Sequence, residues 1–232
     1  MNTAENKELL ALFNKMRVAD VRDGMDWLGY QFYGSLESSF RPLFRCPAVV
    51  GIARTARYLP FQGPVIRCSP EDYTPYVQNY YKEIMPDPWM HDIRPGDFMC
   101  IDNGGSNVGT IGSNNSLICK KNGNVGFLVS GYGLRDTDEL IIQKIPCWHQ
   151  AISQNMSTCR MCYHEKDVPI AIGGVAIYPG DIIVADGDGV IVVPRKVARD
   201  VAKYTRQEYD NDKESRKMKY LDLKMELDDT VK

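Results

Sequence analysis

No stretch of this 232-residue sequence strings together the roughly 20 apolar residues that a membrane-spanning helix needs. Its opening, Met1-Asn2-Thr3-Ala4-Glu5-Asn6-Lys7, is polar and no signal-peptide core follows, so a cytoplasmic protein is expected. Surplus positive charge is lacking too: 28 Lys and Arg against 30 Asp and Glu leave a formal charge of -2. The basic surface that marks a nucleic-acid binder is therefore not expected. There are only three histidines, none beside a nucleophile in a recognisable motif. Gly-x-Ser-x-Gly, His-Glu-x-x-His and Gly-Lys-Ser/Thr are all absent, which sets aside hydrolase-elbow, zincin and P-loop chemistry.

What is present is an ordinary globular composition, 44% hydrophobic and 25% charged. The length suits a single domain over residues 1–232, with a core at about 45–195 and a C-terminal helical extension over 195–232. Seven cysteines, an odd number, read most simply as reduced thiols. Cys147, His149, Cys159, Cys162 and His164 lie close in sequence, and Cys159-Arg160-Met161-Cys162 has the spacing of half a zinc site. A structural zinc, a redox pair and plain thiols all remain open from that spacing alone.

Apolar residues recur at helical spacing over residues 6–28, with a second short helix beginning near Asp20 and ending at Gly29. Residues 48–58 read as a strand, and residues 76–85 as a short helix in a segment rich in Pro and Tyr. Then come a strand over 97–102, a Gly-rich loop, a helix over 113–121 closed by Gly123, a strand over 125–130 and a helix over 137–143. This alternation predicts a parallel sheet with right-handed crossovers. Short β-branched strands joined by Gly and Asp turns fill residues 170–193, and a charged helix follows Pro194 to about Lys224.

Two helix starts carry candidate chemistry. In the first, Gly104, Gly105, Gly109 and Gly112 precede Ser113-Asn114-Asn115-Ser116. Glycines allow close backbone approach, and the helix start offers free N–H groups and a positive dipole end, which suits a carboxylate or phosphate oxygen. An N-capped helix with no ligand fits the same residues. In the second, Gly133-Leu134-Arg135-Asp136 places an Arg and an Asp at the carboxyl end of a predicted strand, where parallel sheets bind ligands. Arg grips carboxylates through paired N–H groups, and Asp holds hard cations. Asp136 with Glu139 also fits a capping box, so a purely structural reading stands beside the functional one.

The loop Asp186-Gly187-Asp188-Gly189 could hold a cation but reads more simply as a turn. An internal echo pairs Pro95-Gly96-Asp97 with Pro179-Gly180-Asp181, each a tight turn leading into a strand.

Taken together, these segments resemble the 4-hydroxy-4-methyl-2-oxoglutarate aldolase and ribonuclease-regulator family, best over residues 94–194. The resemblance is carried by Pro95-Gly96-Asp97, Gly104-Gly105, residues 112–123, Gly133-Leu134-Arg135-Asp136, and the block from Gly173-Gly174 to Pro194. It implies an α/β fold, the layered α/β/β swivelling phosphohistidine-like domain with N- and C-terminal helices. It also implies a homo-oligomer, trimer or hexamer, with active sites at subunit interfaces. Arg135 matches the substrate-carboxylate arginine and Asp136 the metal-site aspartate. Ser113, Asn114, Asn115 and Ser116 match the substrate-binding helix start, and Glu208 or Asp210 the carboxylate from a neighbouring subunit. Mg²⁺ or Mn²⁺ is the implied cofactor, a short 2-oxo acid the implied substrate, and enolate-forming carbon–carbon cleavage the implied reaction. Non-enzymatic ribonuclease regulation, and lyase or dehydratase chemistry on a sugar acid, are the alternatives. Asn114 and Asn115 stand where the family often has apolar residues, and residues 70–90 form a longer stretch than usual. The two asparagines point to a different substrate head group, so the reaction class is expected to carry over and the substrate is not.

Overall fold

The chain is described here by a computed structural model covering residues 3–232. Its N-terminal helices are α1 (Thr3–Leu12) and α2 (Val18–Asp26). The apolar periodicity of residues 6–28 is interrupted between them, where Lys15 takes a left-handed φ of 64°. Then follow β1 (Arg41–Pro42), β2 (Val49–Pro60), α3 (Tyr73–Glu83), a 3₁₀ turn (Pro88–His91), β3 (Asp97–Asp102), α4 (Ser113–Asn122), β4 (Gly126–Val129) and α5 (Thr137–Ile142). The remainder comprises β5 (Cys147–His149), β6 (Met161–Lys166), β7 (Ile170–Ile172), β8 (Val175–Ile177), β9 (Ile182–Asp186), β10 (Gly189–Val193) and α6 (Ala198–Asp222).

The main sheet has the order β1-β5-β4-β3-β2-β9-β10, with β6 also joined to β2. Strands β2 to β5 are parallel, as the strand–helix alternation predicts. The twelve-residue β2 serves three partners. It pairs β3 along one edge, and on the other edge β9 through residues 49–52 and then β6 through residues 56–60. A long strand shared in this way bends the sheet toward a barrel.

Period-2 alternation sorts the strand residues onto two faces. Met99, Ile101, Phe127 and Val129 pack with Cys119 of α4, Leu140 of α5 and Tyr80 of α3. Phe98, Cys100, Leu128 and Trp148 face the other way, against the hairpin β7–β8 and Phe40. A third cluster joins Ile52, Ile182, Val184, Ile191 and Val193 to Leu9, Phe13, Val21, Met25 and Val201 of the terminal helices. Each fully buried aliphatic or Phe side chain contributes about 1.5–3 kcal/mol relative to exposure. The result is helices on one face of the sheet and a β layer on the other, the layered α/β/β arrangement with N- and C-terminal helices.

The echo in sequence is an echo in structure. Asp97 Oδ2 accepts the Arg94 N–H at 2.9 Å, and Asp181 Oδ2 accepts the Tyr178 N–H at 2.9 Å. Gly96 and Gly180 supply the positive φ angles of 90° and 98° that these turns need. In the acidic loop after β9, Asp186 Oδ1 accepts the Asp188 N–H within the turn and Oδ2 accepts the Val18 N–H at the start of α2, so both its oxygens have structural partners.

The Cys/His group is spread out rather than focused. Cys147 is buried on β5, Cys159 lies 2.9 Å from the Tyr76 hydroxyl, Cys162 contacts the Leu59 carbonyl, and His164 is exposed on β6. No three metal-ligating side chains converge among the described residues.

Candidate active site

Pairing does not stop where β3, β4 and β5 end. The loops beyond their carboxyl ends stay hydrogen-bonded: Ile111 N–H to Gly133 O, Arg135 N–H to Ile111 O and Ser153 N–H to Leu134 O, each at 3.0 Å. Gly109 N–H reaches Asn155 O at 3.1 Å. These bonds hold the glycine-rich loop, the Arg135-Asp136 turn and the loop after β5 as one platform. Above it lies a cavity of about 200 Å³, lined by Tyr81, Asp87, Gly109, Thr110, Gly112, Asn114, Asn115, Arg135, Asp136, Met156 and Ser157.

Arg135 and Asp136 sit side by side in it, with Arg135 Nε donating to Asp136 Oδ1 at 3.1 Å. Nη1 and Nη2 of Arg135 donate to no described residue, which leaves the fork for a ligand. Asp136 is the N-cap residue of α5, yet its side chain makes no capping bond to that helix. Its left-handed backbone, φ 55° and ψ 43°, turns the carboxylate across to α4, where Oδ2 accepts the Ser113 N–H at 3.1 Å. The capping-box reading of Asp136 with Glu139 is therefore corrected: Asp136 caps the neighbouring helix, not its own. This crossing requires glycine beneath it, since a Cβ on Gly112 would stand 2.5 Å from Asp136 Oδ2 and one on Gly109 2.6 Å from Arg135 Cβ.

Of the four residues at the α4 start, Asn114 and Asn115 line the cavity and Ser113 and Ser116 do not. The Ser113 hydroxyl accepts from Gln143 Nε2 at 2.6 Å. Ser116 is fully buried and donates to the Ser113 carbonyl. No described residue accepts the backbone N–H groups of Asn114 and Asn115, which point out of the helix start. Glu208 and Asp210 lie on α6, away from the cavity, and Glu208 accepts the Trp27 indole N–H at 2.8 Å.

Tyr81, Asp87, Thr110, Met156 and Ser157 of the cavity lining escaped the sequence reading, and among them Asp87 carries the ionisable carboxyl. Asp87 precedes the 3₁₀ turn, is 6% exposed, and has a left-handed φ of 44° immediately before Pro88. Residues before proline favour extended backbone, so this conformation is strained. Asp87 Oδ1 accepts the Tyr58 hydroxyl at 2.6 Å, and the Tyr58 oxygen accepts the Trp89 indole N–H at 2.6 Å. Burial pushes the Asp87 carboxyl up to about 6, against the opposing pull of the Tyr58 and Trp89 donors. Burial and the Asp87 charge together drive the Tyr58 phenol well above its usual range. The signal in sequence was an acidic residue between two prolines, Pro86-Asp87-Pro88, followed by a tryptophan.

Comparison with known proteins agrees with this architecture. The chain is 27% identical over 208 residues to a Halalkalibacterium halodurans protein named "Putative 4-hydroxy-4-methyl-2-oxoglutarate aldolase", covering 88% of this chain and 85% of that one. An Arabidopsis thaliana protein named "Putative 4-hydroxy-4-methyl-2-oxoglutarate aldolase 3" is 33% identical over 57% of this chain and 74% of its own length. A solved Streptomyces coelicolor structure, described as an unusual member of the RNase ES inhibitor RraA protein family, superposes with a TM-score of 0.71. It is 26% identical and covers 90% of this chain and 96% of its own. The family model described as Aldolase/RraA matches residues 18–192, and this chain belongs to the RraA-like family.

Proposed function

We propose that this protein is a divalent-metal-dependent lyase that cleaves a short 2-oxo acid through a pyruvate-type enolate. The observation that carries this reading is the pairing of Arg135 and Asp136 at the floor of a small polar cavity, with glycines clearing the space around both. The Arg135 fork holds the substrate carboxylate, because its planar paired N–H groups match two carboxylate oxygens. Asn114 and Asn115 present neutral amides and free backbone N–H groups to the remaining oxygens. The lining offers oxygen and amide donors and neither thiol nor imidazole, a set that suits Mg²⁺ or Mn²⁺ rather than zinc. Asp136 would hold the ion, with water, substrate and a carboxylate of a neighbouring subunit completing its shell. When bound, the cation supplies Lewis-acid stabilisation of the charge that develops on the 2-oxo oxygen.

Self-association belongs to the same proposal. Leu117 and Ile118 of α4 and Ile141 and Ile142 of α5 are 42–79% exposed, an apolar set on the two helices whose starts frame the cavity. Glu208 or Asp210 would then reach a neighbour's site rather than its own.

The test is pyruvate release from 4-hydroxy-4-methyl-2-oxoglutarate and from oxaloacetate, with Mg²⁺ or Mn²⁺ and with chelator, for wild type and Asp136→Ala. Metal-dependent release that the substitution abolishes supports the lyase. No release above the metal-only background removes this reading and leaves a regulatory role like that of the RNase ES inhibitor family to which the Streptomyces coelicolor relative belongs.

A further inference from the structure

Breaking a carbon–carbon bond next to a hydroxyl-bearing carbon needs a group to take the hydroxyl proton. Asp136 is committed elsewhere, since the lyase reading gives it the cation and its oxygens also serve Arg135 and the Ser113 N–H. No histidine, cysteine or lysine lines the cavity. Asp87 does line it, from the wall built by the segment between α3 and β3. Its Oδ1 is fixed by the Tyr58 hydroxyl, itself held by Trp89, while no described residue donates to Oδ2. A carboxylate that is nearly buried, clamped by one oxygen and unpartnered at the other, is built to exchange a proton with whatever fills the cavity.

Resting on the lyase reading above, we propose that Asp87 is the acid–base residue of the cleavage, acting on a 4-hydroxy-2-oxo acid. Its carboxylate takes the proton of the 4-hydroxyl. The O–H electron pair becomes the second bond of the new carbonyl, and the C3–C4 pair passes into the three-carbon enolate. The carboxyl then returns its proton to C3, giving the methyl group of pyruvate and restoring the carboxylate. No oxidant or co-reactant is consumed.

The groups facing Asp87 are Tyr58 from β2, Trp89 from the 3₁₀ turn, Tyr163 from β6 and Cys119 from α4. Tyr81 of α3 and, on the same cavity lining, Arg135 and Asp136 complete the set. Burial holds the Tyr58 phenol and the Cys119 thiol neutral and the indole carries no charge, so the other acidic and basic side chains of the cavity lining are Arg135 and Asp136. That pair sits where the substrate carboxylate binds. Asp87 therefore meets the hydroxyl-bearing end of the substrate.

The experiment compares two reactions of the metal-loaded protein. Retro-aldol cleavage requires hydroxyl deprotonation; oxaloacetate decarboxylation makes the same enolate without it. Asp87→Asn should lower kcat for cleavage by about 10²–10⁴-fold, the usual contribution of general acid–base catalysis, with little change in KM. Decarboxylation should fall by less than about 10-fold, since only the final protonation is lost and water can supply that proton. Tyr58→Phe removes a hydrogen bond that favours the carboxylate, so it should move the acid limb of the cleavage profile to higher pH. A readout free of metal and substrate is the unfolding midpoint of the apo-protein at pH 5 and pH 8, whose pH dependence Asp87→Asn should flatten. Cleavage by Asp87→Asn at wild-type rate, or an equal loss of both reactions with an unshifted Tyr58→Phe profile, overturns the proposal. A wild type that performs neither reaction removes the lyase reading itself, which is a different failure.

Discussion

Gly112 lies directly under the carboxylate of Asp136: a Cβ added there would stand 2.5 Å from Oδ2 and 3.2 Å from Arg135 Cγ. Two helices depend on this spot, because the same Oδ2 accepts the N–H of Ser113 at the start of α4. Gly112→Ala should push the carboxylate aside without unfolding the domain, since Gly112 has φ -134°, open to alanine. A misplacement near 1 Å can cost about 10²-fold in turnover. We expect a kcat/KM loss of that order with a nearly normal thermal midpoint; wild-type activity in the alanine variant would show that Asp136 need not sit where it does.

Arg135→Lys tests the carboxylate grip. Lysine keeps the charge but loses the planar fork and the Nε bond to Asp136 at 3.1 Å. If the fork holds the substrate equally in ground and transition states, KM should rise by about 10–100-fold with kcat less affected. Steady-state kinetics at saturating metal checks this, and unchanged KM would move the carboxylate elsewhere in the cavity.

Asp136→Ala separates the proposed metal role from the capping role. Direct Mn²⁺ binding, followed by calorimetry, should disappear. The Ser113 N–H also loses its acceptor, and a lost helix N-terminal acceptor typically costs about 1 kcal/mol. The variant should therefore stay folded, slightly less stable, and blind to metal. Retained stoichiometric Mn²⁺ binding would place the ion on other residues.

The parts of this site written in contiguous residues were legible from sequence. Gly133-Leu134-Arg135-Asp136, the Gly112 helix start and the two Pro-Gly-Asp turns are local motifs, and each forms the turn or helix start that its residues suggest. What was not legible depends on long-range partners. The three-residue β5 has too short a pattern to read, and β6 is a strand because it pairs with the distal half of β2, about a hundred residues away in sequence. Ser113 and Ser116 look like ligand donors in sequence, but a tertiary contact with Gln143 takes the Ser113 hydroxyl and a bond back to the Ser113 carbonyl within α4 takes that of Ser116. Asp87 becomes a cavity residue only because α3 and the 3₁₀ turn fold over the sheet beside Tyr58.

That placement of Asp87 has a stability signature with a definite sign. Its folded carboxyl is raised to about 6 from the ordinary 3.8, chiefly by burial, so the fold favours the protonated form. The contribution is therefore fully present below pH 4, is lost as pH rises through 6, and is absent at pH 8. A shift of this size corresponds to roughly 3 kcal/mol. Asn is uncharged at every pH and still offers an oxygen to the Tyr58 hydroxyl. Asp87→Asn should thus be more stable than wild type at pH 8, by up to that amount, and the two should converge near pH 4. Urea denaturation at both pH values measures the gap. A variant that is less stable than wild type at pH 8 would mean that the buried carboxylate is held by more than Tyr58 and Trp89. A more stable and less active variant would show a residue kept against the interest of the fold, as a working acid–base group is.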